Sequence, residues 1–220
     1  MKPVTENYLK LIFNLQQNHP GAVKPLLISK SLEVTPPAVS EMLKKLADEH
    51  YIEYIPYHGV KLTKKGLIQG QNMVRRHRLW ELYLHKILGF PWDKVHQEAE
   101  LLEHASSDDV INKLEEVMGF PEYDPHGDPI PSKEGIFPKA LASLPLSKCK
   151  VNDSLKVVRV SDFDNEFLHY IDTLGIQLQQ HLVVEDIRSF DHSFLISIGS
   201  RKETISEFTA QHIFVIREGN

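Results

Sequence analysis

Six prolines, at positions 121, 125, 129, 131, 138 and 145, and glycines at 127 and 135 crowd one stretch of this 220-residue chain. A proline inside a helix removes a backbone hydrogen bond and clashes with the preceding turn. No long helix can therefore run through residues 121–145, and the stretch reads as a semi-rigid tether. The chain is forced into two parts. Ahead of the tether, apolar residues recur at helical spacing; behind it they fall in short runs of strand length. Charge divides similarly. Residues 1–78 carry twelve Lys/Arg against six Asp/Glu, a net of +6, and residues 79–220 carry thirteen against twenty-four, a net of −11. A basic front and an acidic rear suit a phosphate-facing module joined to a cation-binding one.

The bulk composition narrows the class. Apolar residues make up 41% of the chain, enough for real cores. No run of eighteen apolar residues occurs, so no membrane span is expected. The first residues, Met1 to Asn7, lack the apolar core of a signal peptide. Cys149 is the single cysteine, so no intramolecular disulfide can form, and a reducing cytoplasm is the expected compartment.

The front half reads as a helix-turn-helix with a wing. Tyr8, Leu11, Ile12 and Leu15 recur at i, i+3, i+4, i+7, which predicts a first helix with Thr5 as its N-cap and His19-Pro20-Gly21 as its end. A short second helix follows over 23–32, with Pro25 in its first turn. After a break at Glu33-Val34, Thr35 caps a third helix that buries Val39, Leu43 and Leu46. Residues 51–56 and 60–62, around a turn at His58-Gly59, predict a β-hairpin. In such a module the third helix enters the major groove. Thr35, Pro37, Ala38 and Ser40 are small enough for close approach, to thymine methyls or to phosphate oxygens. Glu41 can accept from a cytosine amino group, or simply face solvent. Lys44 and Lys45 face outward, and Lys61, Lys64 and Lys65 lie where a wing meets phosphate. The alternative for the module is a winged helix that binds protein.

The chemistry-bearing stretch is His96-Gln97-Glu98-Ala99-Glu100-Leu101-Leu102-Glu103-His104. At about 100° per residue, His96, Glu100, Glu103 and His104 share one helix face, with Glu98 on the other side. Two imidazoles and two carboxylates on one face can hold a divalent cation, or can be a solvated polar face. A second pair at i, i+4, His77 and Glu81, lies on the preceding long helix, predicted over 64–88 with Thr63 as its cap. The metal-face helix is expected over 92–104. A further helix from Ser106 carries an apolar stripe of Val110, Ile111, Leu114, Val117 and Met118, wide enough for a partner helix. Behind the tether, strands are expected at 155–160, 182–186, 194–198 and 213–216, with a helix over 165–174, which together fit a small barrel. Arg201-Lys202-Glu203 is expected as a turn, and His169, His181, His192 and His212 show no ligand spacing.

Taken together, residues 34–42, 76–81, 95–100, 102–108 and 125–131 resemble the DtxR/MntR family of metal-dependent repressors over essentially the whole chain. The resemblance implies a mainly α fold with small β parts. These are a winged helix-turn-helix DNA-binding domain over 1–65, a helical metal-binding and dimerisation domain over 66–140, and an SH3-like (FeoA-like) β-barrel over 146–220. It implies one metal site built from Asn7 of the first helix with Glu100, Glu103 and His104. A neighbouring site uses His77, Glu81 and His96, with Asp162 placed to complete it. Glu100 stands where iron-type members have cysteine, and a carboxylate is a harder donor that favours Mn²⁺. Asn7 stands where Asp or Met is usual; Asp124 or His126 are the candidates to compensate, although His126 is equally readable as a loop residue bonded to backbone.

The expected function is a Mn²⁺-responsive repressor of metal-uptake genes. It would bind a double-stranded DNA operator as a homodimer, with no membrane and no small organic substrate involved. Without metal, Glu81, Glu100, Glu103 and Asp162 are expected to repel one another and splay the helices. Metal would set the reading helices about 34 Å apart, one turn of duplex. The alternatives are the same fold sensing Fe²⁺ or Zn²⁺ and, remotely, a metal-dependent hydrolase. No nucleophile, oxyanion loop or phosphate cradle is recognisable for the latter.

Overall fold

The computed structural model describes residues 1–18, 21–55 and 58–218. The expected helix end at His19-Pro20 and the Pro56 end of the hairpin lie outside them. The chain forms two compact units, one of residues 1–80, 100–119 and 130–137, the other of residues 81–99, 120–129 and 138–220.

The first unit opens with α1 (Pro3–Asn18), α2 (Pro25–Ser31) and α3 (Pro36–Asp48). Prolines start all three, because their fixed φ suits a first turn whose N–H groups have no helical partner. Thr5 is thus not the cap of α1: the helix begins two residues earlier and Thr5 is buried inside it. Thr35 holds the N-cap position of α3 with extended backbone, but its hydroxyl makes no capping hydrogen bond. Glu33, at φ 53°, makes the tight break between α2 and α3.

Tyr8, Leu9 and Ile12 of α1 pack with Ile28, Val39, Leu43 and Leu46, and with Ile52 and Val60 of the wing. The wing pairs β1 (Ile52–Ile55) with β2 (Gly59–Leu62), Ile52 opposite Leu62. Val23 adds a bridge through two hydrogen bonds with Val60, of 2.8 and 2.9 Å. The bridge requires Gly59, at φ +119°, since a Cβ there would collide with the Val23 carbonyl.

Thr63 accepts from the Gly66 N–H at 3.1 Å and starts α4 (Lys64–Lys86). α5 (Val95–Ala105) begins after a turn closed by Lys94 N–H on the Pro91 carbonyl, later than the expected 92. α6 (Asp108–Val117) is capped by Ser107, whose hydroxyl accepts from Val110 N–H. Both α4 and α5 contribute residues to each unit.

The second unit is built on an antiparallel sheet of order β3-β8-β4-β5-β6-β7. Its strands are β3 (Leu144–Pro145), β4 (Ser154–Val160), β5 (His181–Ile187), β6 (Phe194–Ile198), β7 (Arg201–Ile205) and β8 (Ile213–Arg217). α7 (Asn165–Thr173) and α8 (Glu207–Gln211) accompany it. Leu155, Val157, Val160, Leu168, Ile171, Leu182, Val184 and Ile196 fill its core. The arrangement is consistent with an SH3-like domain, but the expected barrel is not closed: among the described residues β3 and β7 end the sheet unpaired with each other. Arg201-Lys202-Glu203 is not a turn but most of β7, paired in register with β6 from Phe194–Ile205 to Ile198–Arg201. Its exposed charged side chains hid the strand. The turn is one step earlier, at Gly199 with φ +60°.

The tether folds back on this unit at residues 124–128. Asp124 accepts from the N–H groups of His126 and Asp128, both at 2.9 Å. The His126 carbonyl accepts from Val160 N–H at 2.9 Å. Gly127, at φ +91°, lies so close to β4 that a Cβ would strike the Val158 carbonyl. Gly127→Ala is therefore expected to destabilise the protein by about 1–3 kcal/mol in chemical denaturation. Gly119→Ala, also at positive φ but with nothing within 4 Å of its Cβ, should cost clearly less.

Candidate metal centres and the DNA-reading face

In the first unit, the helical face foreseen on α5 turns inward. Glu103 is fully buried, Glu100 and His104 are half-buried, and Glu98 is exposed on the far side. One potential ligand atom from each of Glu100, Glu103 and His104 lies within 4.8 Å of the others. His104 Nδ1 is 2.6 Å from Glu6 Oε2. A carboxylate only accepts, so Nδ1 is the donor to Glu6, and Nε2 is the ring atom left for a cation. That Nε2 is buried with no hydrogen-bond partner, 3.4 Å from Glu103 Oε1 but out of bonding geometry. On α1, Asn7 Oδ1 is likewise a buried acceptor with no hydrogen-bond partner. A buried orphan acceptor is costly, and a cation would satisfy it.

Two further side chains complete this group. His77 of α4 brings Nδ1 to 2.5 Å from Glu103 Oε2. Lys10 of α1 places its ammonium 2.5 Å from Glu100 Oε1, 2.7 Å from Glu103 Oε1 and 3.5 Å from His77 Nδ1. The metal-free repulsion expected among Glu81, Glu100, Glu103 and Asp162 is offset in part at Glu100 and Glu103 by the Lys10 ammonium. Sequence reasoning missed both Lys10 and Glu6. The available signal was that Glu6, Asn7 and Lys10 stand at i, i+1 and i+4 on one amphipathic helix.

Around this group the helices are tied by groups with no metal role. Arg76 donates to the carbonyls of Glu103 and Ser106 and to Asp108, and Trp80 Nε1 donates to Ser106 Oγ at 2.8 Å. These bonds hold the C-terminal end of α5 against α4. Buried Arg75 joins α4 to α6 through Asn112 at 3.1 Å and Glu115 at 2.5 Å.

A second group lies in the other unit. Ligand atoms of Glu81, His126 and Asp162 all fall within 4.8 Å of one another. His96 Nδ1 is 3.1 Å from Glu81 Oε1. Asp124, weighed as a ligand from the sequence, is occupied through Oδ1 in shaping the loop. His126 is completely buried; Nε2 is 3.0 Å from the Trp92 carbonyl, which can only accept, and Nδ1 has no hydrogen-bond partner. The expected backbone bond is present, and the cluster His126 enters is that of Glu81 and Asp162, not the Asn7 site it was weighed for. Burial by itself would push the His126 pKa down. The charges of Asp124, Glu81 and Asp162 and the Trp92 carbonyl outweigh burial and hold it above its ordinary 6.5. The pocket attracts positive charge.

Both groups fit a hard divalent ion: carboxylate and imidazole donors, orphaned acceptors, and no sulfur. Cys149 packs in the core of the second unit, where burial raises its thiol pKa to about 11.

The residues expected to meet DNA lie on the first unit. Thr35, Pro37, Ala38, Ser40, Glu41 and Lys44 are exposed along α3, and Lys61 is exposed on β2. Lys45 is half-buried and 3.8 Å from Glu49. Ser40 Oγ donates to the Pro36 carbonyl at 3.0 Å. Lys65, expected near the wing, instead donates to the Glu49 carbonyl at 2.9 Å and lies over the Tyr51 ring.

Comparison with known families agrees with this layout. The N-terminal DNA-binding domain of the iron-dependent repressors matches residues 1–60, their metal-binding and dimerisation domain residues 63–132, and the FeoA domain residues 144–217. The iron-dependent repressor IdeR of Mycobacterium leprae is 35% identical over 129 residues, 58% of this chain and 55% of IdeR. The alignment thus spans little more than half the length of that relative. The regulator MntR of Oceanobacillus iheyensis is 31% identical over 118 residues, 54% of this chain and 79% of MntR. The solved structure of a manganese-dependent transcriptional repressor in complex with manganese superposes with a TM-score of 0.86 at 35% identity, over 97% of this chain and all of that one.

The chain belongs to the DtxR family of metal-dependent transcriptional repressors. That family consists of DNA-binding regulators, not enzymes, which disposes of the hydrolase alternative.

The raised His126 pKa carries a pH signature. A group whose folded pKa is raised contributes stability that is fully present below its unfolded value and is lost as pH rises through the folded one. Metal-free protein in chelator is therefore expected to lose thermal stability as pH climbs from about 6.5 upward. His126→Gln should flatten this slope, and an unchanged slope in that variant would refute the assignment.

Proposed function

We propose that this protein is a Mn²⁺-activated repressor that binds operator DNA as a homodimer and controls metal-uptake genes. The observation that carries this reading is the pair of oxygen- and nitrogen-lined groups, Glu100/Glu103/His104 and Glu81/His126/Asp162. Such donors favour Mn²⁺ over metals that prefer thiolate. Asn7 and His77 join the first site, and His96 joins the second. A bound ion supplies two positive charges and a fixed geometry among carboxylates that Lys10 alone compensates only in part.

The chain's own residues do the rest. α1 presents Glu6 and Lys10 towards the first group and buries Tyr8, Leu9 and Ile12 against Val39, Leu43 and Leu46. Any shift of α1 is thereby passed to α3. α3 then offers Thr35, Pro37, Ala38, Ser40, Glu41, Lys44 and Lys45 to the major groove, while Lys61 meets phosphate. Val110 and Val117 of α6 and Leu101 of α5 expose apolar side chains that suit a two-fold partner helix. No helix is long and apolar enough to cross a membrane, and a cytoplasmic location fits this role.

In mobility-shift assays, Mn²⁺ is expected to tighten operator binding by about 5- to 150-fold, and Glu103→Ala should abolish the effect. Equal affinity with Mn²⁺ and with chelator would sink the reading. IdeR among the relatives keeps Fe²⁺ as the second reading; anaerobic titration of Fe²⁺, Zn²⁺ and Mn²⁺ against operator affinity separates the two. Val117→Asp is expected to shift the sedimentation coefficient from dimer to monomer, with little change in circular dichroism.

A further inference from the structure

We propose that Lys10 is a built-in counter-cation of the first metal site, which an incoming divalent ion must expel, so that this residue sets the metal threshold of the switch. The inference rests on the metal-binding reading above and goes beyond it.

The geometry is specific. The ammonium bridges Glu100 Oε1 and Glu103 Oε1, two carboxylates that are also candidate ligands, and sits 3.5 Å from His77 Nδ1. Its side chain is only 12% exposed, and the Glu103 side chain is not exposed at all. This is the place of a cation among the acceptors, not of a solvated surface pair. Divalent ions bind carboxylate oxygens at about 2.0–2.6 Å. An ion on the same oxygens would occupy the space of the ammonium, and three positive charges would crowd two carboxylates. One of the two must leave, and the four-carbon stem of Lys10 lets the ammonium go.

Three consequences follow from charge and tethering. A monovalent ion brings no more charge than the ammonium, and the ammonium is held at high effective concentration by the chain; such ions do not displace it. A divalent ion brings a second charge and does. The metal-free site is also kept from carrying a buried, uncompensated Glu103, whose cost would be high.

The exchange further changes which residue of α1 is held. Asn7 lies one turn before Lys10 with a buried acceptor lacking a hydrogen-bond partner. Without the ion, α1 is fastened through Lys10 as well as through the Glu6–His104 contact; with it, the Lys10 tie is released and Asn7 is the acceptor α1 offers in its place. That is a two-state handhold on the helix that packs against α3.

The test uses the full-length protein, stripped with chelator, and measures free Mn²⁺ by electron paramagnetic resonance beside thermal unfolding with and without Mn²⁺. Lys10→Met is expected to bind Mn²⁺ about tenfold tighter than wild type. Its metal-free form should melt below wild type, with the gap closing or reversing once Mn²⁺ is added. Lys10→Gln, whose amide can still donate to Glu103, should shift affinity the same way and serves if the Met variant does not fold. A merely structural ion pair would lower stability in both states and leave Mn²⁺ affinity equal or weaker, and that result overturns the inference while the metal reading stands. Wild-type protein that retains no Mn²⁺ at all would overturn both.

Discussion

The carboxylate of Glu103 lies fully inside the protein with Lys10, His77 and His104 around it. A charge in such a place is tolerated only when countercharges and hydrogen bonds replace water. Three elements must converge to supply them. α1 brings Lys10, α4 brings His77, and α5 brings Glu103 itself with its neighbour His104. The helical part of the first unit is arranged around that requirement. Arg76 and Trp80 then hold the C-terminal end of α5 in place through the 103–108 segment.

α1 is the element that joins this centre to α3. One side of it is polar and meets the carboxylates. The other is apolar and shares a core with α3 and the wing. Close-packed interiors transmit displacement instead of absorbing it. A change in what holds Asn7 or Lys10 is therefore felt at Val39 and Leu43, on the buried side of the helix that exposes Thr35 to Lys44. The second centre uses a different device. A proline-rich loop, locked by Asp124 and allowed close to β4 by Gly127, delivers His126 with one ring nitrogen bound to backbone and the other left as a donor.

Much of this could be read from residue spacing. The inward face of α5 followed from the 96, 100, 103, 104 periodicity, and the DNA-binding core from the stripe at 39, 43 and 46. Prolines at 25 and 36 marked helix starts because their φ is fixed by covalent structure. Thr5 misled, since Pro3 offers a better first turn. β7 was missed because its exposed residues are charged, leaving Ile205 as its one fully buried position. Lys10 and Glu6 were passed over because a charged residue on an amphipathic helix is ordinarily solvated, and only the approach of α5 turns it into a partner.

The sequence alone determined most of the helices and strands, β7 excepted, the polar face of the helices, and which donors are available to a cation. Those properties depend on covalent geometry and short-range periodicity, which a linear string contains. The tertiary structure alone decided that Lys10 stands between Glu100 and Glu103, that Glu6 sets the tautomer of His104, and that His126 joins Glu81 and Asp162. These pairings join residues some 35 to 100 positions apart. They depend on how buried surfaces pack, and nothing in the local spacing of either partner records it.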